Sequence, residues 1–397
     1  MVMSLSIKAR ALGLSGIREI NELLQKIPDV IRLEYGEPDF VPPENVKNAA
    51  IDAIIKGKGK YVSSAGLPEL REAISEKLNN ENNIIYEPSE VVVTNGANAG
   101  IHFALETLVN VGEEVLIPDP GWANFEHAVK AVGAKPNFYP LYEENSFEPQ
   151  IDDIEKLIGG KTKAIIINSP NNPTGAVYSR KVIENIANLA LQHNLFVLSD
   201  EVYEKFIYDT DVNRISHVSI ASLNEEIKQK ALTINSLSKS YAMTGWRIGY
   251  VGGPKEVIDG IARFISAEES CVDAISQYAA KAALRGPSDF TKKMVQAFSE
   301  RRKNLIEGLS KTKGIKYFPP TGAFYLFVNV KELGIDSYSL AVKILKEAHV
   351  AVVHGSAFGK NGEGYLRLSY AASIRELEEA LKRLTNLFSS LVSSGVS

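Results

Sequence analysis

The chain has 397 residues, 45% of them hydrophobic and 23% charged, which is enough apolar material for a large core and predicts two domains. A net charge of −4 gives no basis for a nucleic-acid or anionic-membrane partner, and the single cysteine, Cys271, excludes an internal disulfide. No apolar stretch reaches membrane-spanning length and the opening residues 1–10 lack a long hydrophobic signal core, so a cytoplasmic location is expected.

Along the chain, short apolar strands alternate with amphipathic helical patterns, which predicts a mostly parallel sheet covered by helices. After a Gly- and Ser-rich connection at 57–66, Pro68 opens a helix with Leu70, Ile74 and Leu78 on one side. Strands are expected at 90–94, 114–117, 136–140, 163–168, 196–199, 231–235 and 248–252. Helices fall between them, with Ile101, Leu105 and Leu108 sharing one face after Asn98, and Val182, Ile186 and Leu189 sharing another after Ser179. Near Gly286-Pro287 the pattern changes to a long helical stretch, then short strands at 323–328, 350–353 and 365–369. A boundary there divides the chain into a large domain, 46–285, and a smaller one built from 1–45 and 286–397. The last helix is announced by Ser373 and Glu376 as a capping box ahead of Leu377, Leu381 and Leu384, and the Ser-rich tail beyond it is expected to be loose.

In a doubly wound sheet, ligands bind beyond the carboxyl ends of the strands, so polar residues there are the candidates for chemistry. The first strand of this series runs into Thr94-Asn95-Gly96-Ala97-Asn98-Ala99-Gly100 and a helix, which offers backbone N–H groups and a positive helix end to a phosphate. Asn98 by itself is equally well an N-cap. The second ends in Pro118-Asp119-Pro120-Gly121-Trp122, where Trp122 either packs in the core or presents a flat ring to a ligand. The fourth ends in Asn168-Ser169-Pro170-Asn171-Asn172-Pro173-Thr174-Gly175, a stiff polar loop that fixes an amide in place. The fifth delivers Asp200-Glu201-Val202-Tyr203. A carboxylate straight after an apolar strand needs a cation or donors, so Asp200 is an ion pair, a cap, or the partner of a ligand cation.

The most informative run is Ser236-Leu237-Ser238-Lys239-Ser240-Tyr241-Ala242-Met243-Thr244-Gly245-Trp246-Arg247-Ile248-Gly249. An amine at the end of a buried strand, with its pKa lowered by desolvation, is suited to attack a carbonyl and later move protons. Ser236, Ser238 and Arg247 supply two hydroxyls and a planar fork suited to a dianionic phosphate. A surface lysine in a polar loop is the bland alternative. Against it, the other strand ends supply what one aldehyde- and phosphate-bearing cofactor, pyridoxal phosphate, would require. Asp200 would keep its ring nitrogen protonated, and Tyr203 would meet the ring's 3-oxygen beside the Asn172 amide.

Several runs occur here in one order: Gly36-Glu37-Pro38-Asp39-Phe40, Tyr61 with Ser64-Ala65-Gly66-Leu67-Pro68-Glu69-Leu70-Arg71, Asn171 to Gly175, Ser199 to Tyr203, Lys239 to Gly249, and Arg367-Leu368-Ser369. In these the chain resembles the class I aminotransferases of the aspartate aminotransferase family, fold type I of the pyridoxal phosphate enzymes, over almost its whole length. The resemblance implies an α/β fold with a mostly parallel seven-stranded sheet flanked by helices, plus a smaller α+β domain. It implies that Lys239 carries the cofactor covalently, Asp200 pairs with the ring nitrogen, and Asn172 and Tyr203 hold the 3-oxygen. Gly96, Ala97 and Asn98 with Ser236, Ser238 and Arg247 would bind the phosphate, and Trp122 would stack on the ring. Gly36, Trp122, Asn172 and Arg367 would meet the substrate, with Arg367 clamping its α-carboxylate. Tyr61 would reach the phosphate of a neighbouring subunit, which implies a homodimer with shared sites. The implied reaction moves the amino group of an L-amino acid to a 2-oxo acid, 2-oxoglutarate first among them, by a ping-pong mechanism.

Departures bear on substrate choice. Asn98 stands where some aspartate-specific relatives carry lysine, and His354 where relatives usually have proline. Glu268 and Glu269 replace mostly neutral residues; they either disfavour an acidic substrate or face solvent. An aspartate-like activity is the first reading, an aromatic or broad-specificity aminotransferase the alternative, and a lyase of the same fold a more distant one. A nicotinamide dehydrogenase fails because the glycine loop lacks G-x-G-x-x-G spacing. No metal is expected, since His102, His127, His193, His217, His349 and His354 form no ligand-like pair in sequence.

Overall fold

The structure, a computed structural model, describes residues 6, 9–10, 12–13, 20, 23–24, 27–208 and 216–393. Strand β1 (Ile31–Arg32) is followed by β2 (Val91–Thr94), β3 (Glu114–Asp119), β4 (Lys135–Pro140), β5 (Thr162–Asn168), β6 (Phe196–Asp200), β7 (Ala231–Ser236) and β8 (Gly249–Gly252). The last seven form one sheet in the order β2-β8-β7-β6-β5-β3-β4. Neighbours run parallel except at β8, which is antiparallel to both β2 and β7.

The central strands are buried on both faces, which is why β5 reads as an unbroken apolar run from Ala164 to Ile167 rather than an alternating one. Successive residues still divide between two cores. Val91, Val93, Ile165, Ile167 and Val197 pack on one side with Leu70, Ile74 and Leu78 of the helix Pro68–Asn82. Val92, Ala164, Ile166 and Leu198 pack on the other with Ile101 and Leu105 of Gly96–Leu108.

Beyond the helix Asp289–Leu309 lie β9 (Lys316–Tyr317), β10 (Tyr325–Asn329), β11 (Val350–Ala351), β12 (Val353–His354) and β13 (Tyr365–Ser369). Four of them make an antiparallel sheet, β12-β13-β10-β9, and β11 instead pairs in parallel with β1, Ile31 opposite Val350. Their side chains form a third core in which Leu33 joins Phe298, Leu326, Ile344, Leu368 and Leu384.

The expected elements need local corrections. The run at 350–353 is two strands serving two sheets, and the strand expected from 323 begins at Tyr325 because Ala323 sits at φ 56°. Strand β9 carries no sequence signal beyond two residues. Strands β6 and β7 run one residue further than expected, since Asp200 pairs with Ile234 and Ser236 with Gly249, and β3 runs two further, to Asp119. Asn98 is not an N-cap: the helix starts at Gly96, so Asn98 lies in its first turn. The capping box forms, with Ser373 N–H donating to Glu376 Oε2 at 3.1 Å and Glu376 N–H to Ser373 Oγ at 3.3 Å. Of the serine-rich tail, residues 394–397 lie outside the described residues. Among the described residues, no helix is long and apolar enough to cross a membrane.

Candidate active site

The carboxyl ends of β2, β3, β5, β6 and β7 and the approach to β8 open on one cavity of about 330 Å³. The large sheet contributes Ala97, Asn98, Trp122, Asn172, Asp200 and Tyr203 to its wall, and Ser236, Ser238, Lys239 and Arg247 complete that side. Gly36 and Arg367 come from the third core's side. Two expected residues are not in the wall: Gly96 lies behind Arg247, and Tyr61 is 88% exposed on the outer surface.

Lys239 sits on the single-turn helix Leu237–Ser240 directly after β7, and its Nζ donates to the Gly36 carbonyl at 2.5 Å. Burial, helped by the cations of Arg367 and Arg247, lowers its pKa to about 8 against the pull of Glu37. The approach demands glycine at 36, because a Cβ there would lie 2.0 Å from the Tyr325 hydroxyl.

Asp200 ends the neighbouring strand β6, and its Oδ1 accepts from the Val202 N–H at 3.3 Å. Burial pushes its carboxyl up to about 7, the Glu201 charge adds to this and Lys239 opposes it. Asn168 fixes two parts of the site at once: its Nδ2 donates to the Asp200 carbonyl at 3.1 Å, and its Oδ1 accepts from the Asn172 N–H at 2.9 Å. Tyr203 shares a hydrogen bond with Tyr325 at 2.8 Å, and burial holds its phenol protonated, well above the ordinary range.

Arg367 is 2% exposed, on β13. Its Nη1 donates to Asn172 Oδ1 at 3.0 Å and its Nη2 to the Glu34 carbonyl, while Nε is buried with no partner. The guanidinium stacks 4.4 Å over Tyr325 and 5.0 Å over Phe358. A buried cation held by neutral acceptors and rings, with one N–H unsatisfied, is prepared for an incoming anion.

Arg247 takes a left-handed backbone, φ 55°, and donates to the carbonyls of Thr244 at 3.0 Å and Asn95 at 3.2 Å. Its fork lies against the start of the helix Gly96–Leu108, where a Cβ at Gly96 would come within 2.5 Å of Nη2. Ser236 and Ser238 line the same cavity as Arg247 and the first turn of that helix, a donor set whose chemistry suits an anion. Trp122 stands half-buried in the wall, edge-on to Phe125 at 5.4 Å.

Sequence reasoning missed Glu34, Tyr35, Asn124, Asn168, Thr244 and Tyr325 as wall residues. Asn168 was within reach, as the polar end of an apolar strand. Tyr325 and Glu34 were not, because they meet the cavity only through the packing of the third core. His354 is buried away from the wall, with Nδ1 bonded to Ser356 at 2.7 Å and its ring against Tyr338. Glu268 and Glu269 close the helix Lys255–Glu268, also outside the wall. Behind Asp200, the Glu201, Glu204 and His217 side chains converge within 4.8 Å, a set with metal-ligand chemistry, but the Lys77 ammonium already sits on Glu204 there.

The family profile described as aminotransferase class I and II matches residues 28–384. The chain belongs to that family. An aspartate aminotransferase of Pyrococcus abyssi is 43% identical to this aminotransferase over 96% of this chain and 97% of its own. An aromatic-amino-acid aminotransferase of Thermococcus litoralis is 42% identical over 96% and 97%. The solved aspartate aminotransferase from Thermus thermophilus with maleate superposes with a TM-score of 0.92 at 36% identity, covering 97% of this chain and all of that one. The aminotransferase therefore has fold type I, acts as a transaminase and depends on pyridoxal phosphate.

Proposed function

We propose that the protein transfers the amino group of an L-amino acid to a 2-oxo acid, 2-oxoglutarate foremost, with aspartate-like donors as the first reading. The carrying observation is that a buried amine of lowered pKa just beyond β7, Lys239, and a buried carboxyl of raised pKa at the end of neighbouring β6, Asp200, meet one cavity that also holds the Arg367 cation with its Nε unpartnered. The residues fit pyridoxal phosphate. Arg247, Ser236, Ser238 and the Gly96-Ala97-Asn98 turn match its phosphate, Lys239 its aldehyde, Asp200 its ring nitrogen, Asn172 and Tyr203 its 3-oxygen, and Trp122 its ring face.

When bound, pyridoxal phosphate supplies an electrophilic aldehyde and an electron-accepting ring. The chain supplies the rest. Arg367 Nη2 and Nε orient the substrate's α-carboxylate, and Asn172 Oδ1 holds the guanidinium in place. Lys239 Nζ, lowered to about 8 by burial, would hold the aldehyde and is the base placed to accept the substrate's α-proton. Asp200, whose carboxyl burial and the Glu201 charge push up to about 7, would ionise beside a ring cation and keep that ring nitrogen protonated. Both half-reactions share this cavity, which gives ping-pong kinetics.

Aromatic donors form the second reading, favoured by the Thermococcus relative being as similar as the Pyrococcus one. The separate seven-stranded and four-stranded sheets support a large domain over 46–285 and a smaller one over 1–45 and 286–397, with Val202, Tyr203, Phe206 and Tyr208 packed into the smaller one's core. The exposure of Tyr61, together with that of Ile51, Ile54 and Ile55 on the helix Glu44–Ile55, supports a homodimer in which Tyr61 serves the neighbour's phosphate site. The single cysteine supports a cytoplasmic location. Purified holoenzyme should be yellow, bleach on addition of an amino donor alone and release the matching oxo acid. A donor panel against 2-oxoglutarate then ranks aspartate against phenylalanine and tyrosine. A protein that binds the cofactor but forms no oxo acid from any donor would sink the transaminase reading.

A further inference from the structure

Glu34 lies between β1 and Gly36, with its carbonyl on Arg367 and its side chain fully buried at the cavity wall. Its Oε1 meets both Nε and an Nη of Arg32 at 2.5 Å. Its Oε2 is buried and has no hydrogen-bond partner. Arg32 itself is held over the ring of Tyr35 at 4.1 Å, and Tyr35 also lines the cavity. Glu34 thus links two cations, Arg32 through its carboxyl group and Arg367 through its carbonyl, while one oxygen of the acid is left without a hydrogen-bond partner.

A buried acid beside a cationic anion site has an electrostatic consequence. Burial pushes the Glu34 carboxyl up from its ordinary range, while Arg32 and Arg367 both favour its ionised form. Reciprocally, Glu34 stabilises the Arg367 cation. An anion arriving on Arg367 therefore meets repulsion from Glu34, and Arg32 offsets part of it. Arg32 stands outside the cavity wall and acts through Glu34.

We propose that Glu34 and Arg32 form a counter-charge pair that sets how tightly Arg367 holds a substrate carboxylate: the acid loosens the grip and its arginine restores it. This rests on the reading of Arg367 as the carboxylate clamp. In such an arrangement the pair matters most for product oxo acids, which must leave the same guanidinium before the second half-reaction begins.

The test titrates holoenzyme variants with maleate, an inert dicarboxylate, followed by the cofactor absorbance. Glu34→Gln should tighten maleate by about three- to tenfold and Arg32→Met should weaken it by a similar factor, the range expected for one partly buried charge. Arg32→Lys should stay near the parent, and the double variant Glu34→Gln with Arg32→Met should return towards it. A merely structural role would move both single variants in the same direction, and that result, or no change in either, overturns the proposal. Arg32→Gln replaces Arg32→Met if the latter does not fold. Arg367→Ala separates the two levels: it should abolish maleate binding while keeping the cofactor absorbance. If it leaves maleate affinity intact, the clamp assignment itself falls.

Discussion

Lys239 shows how far a single side chain's surroundings can be turned into a measurement. An ordinary lysine, at 10.5, is neutral at pH 7 in roughly one molecule in three thousand, whereas at about 8 the neutral share is roughly one in ten. Only the neutral amine attacks an aldehyde, so capture of pyridoxal phosphate by the cofactor-free protein should speed up as pH rises and level off above about 8. Stopped-flow absorbance between pH 6 and 9 checks this, and a rate still climbing steeply at the top of the range would contradict it. The sequence made Lys239, Asp200 and Arg247 legible because each ends or precedes a strand whose apolar run is unmistakable. It made Tyr325 and Glu34 illegible because what places them at the site is created by folding: Tyr325 meets Gly36, and the Glu34 carbonyl meets Arg367, across some three hundred positions. Tyr61 was legible only through the family resemblance; nothing in its local pattern separates it from any exposed tyrosine.

At the scale of elements, the turn after β6 carries both Asp200 and Tyr203, and a buried polar cluster anchors it to the helix Pro68–Asn82. Glu204 accepts from Lys77 Nζ and, at 2.6 Å, from Asn82 Nδ2; Glu201 accepts from Ser219 at 2.6 Å and meets His217 Nε2 at 2.8 Å. Burial alone would raise the Glu204 carboxyl, but Lys77, Lys205 and His217 outweigh it and hold it down to about 2. Because its folded value lies below the ordinary 4.5, Glu204 contributes stability in full above that pH, and the contribution disappears as pH falls towards 2. Removing the cation with Lys77→Met should cost about 3–5 kcal/mol, since buried carboxylates are left uncompensated. Urea unfolding at pH 7 measures the loss, and the variant should also become acid-labile at a higher pH than the parent. A loss below about 1 kcal/mol would mean that water reaches the cluster. The helix itself was predicted from Leu70, Ile74 and Leu78, but the cluster was not, since Lys77 and Glu204 read as ordinary surface charges in a linear scan.

For the whole molecule, the proposed dimer makes a prediction that no single chain can satisfy. If Tyr61 serves the neighbouring site, Lys239→Ala and Tyr61→Ala should each be inactive or weak when pure. Mixed under conditions that exchange subunits, they should regain activity, because half the sites in a heterodimer unite an intact Lys239 with the partner's intact tyrosine. Sedimentation shows whether heterodimers form. Exchange without recovery would place Tyr61 outside the site. The seven-stranded sheet was readable strand by strand, but the reversal of β8 was not, since a buried strand looks alike in either direction.

The pairing of β1 with β11 carries a further implication for how this enzyme is made. Ile31 and Arg32 leave the ribosome early, and their partners Val350 and Ala351 emerge only after some three hundred more codons have been read. Until then the segment bearing Glu34 and Gly36 has no edge to dock on. A nascent chain can thus assemble the Lys239 side of the cavity well before it gains a place for a substrate, and arrested translation products ending near residue 300 should take up the coenzyme without turning over an amino acid.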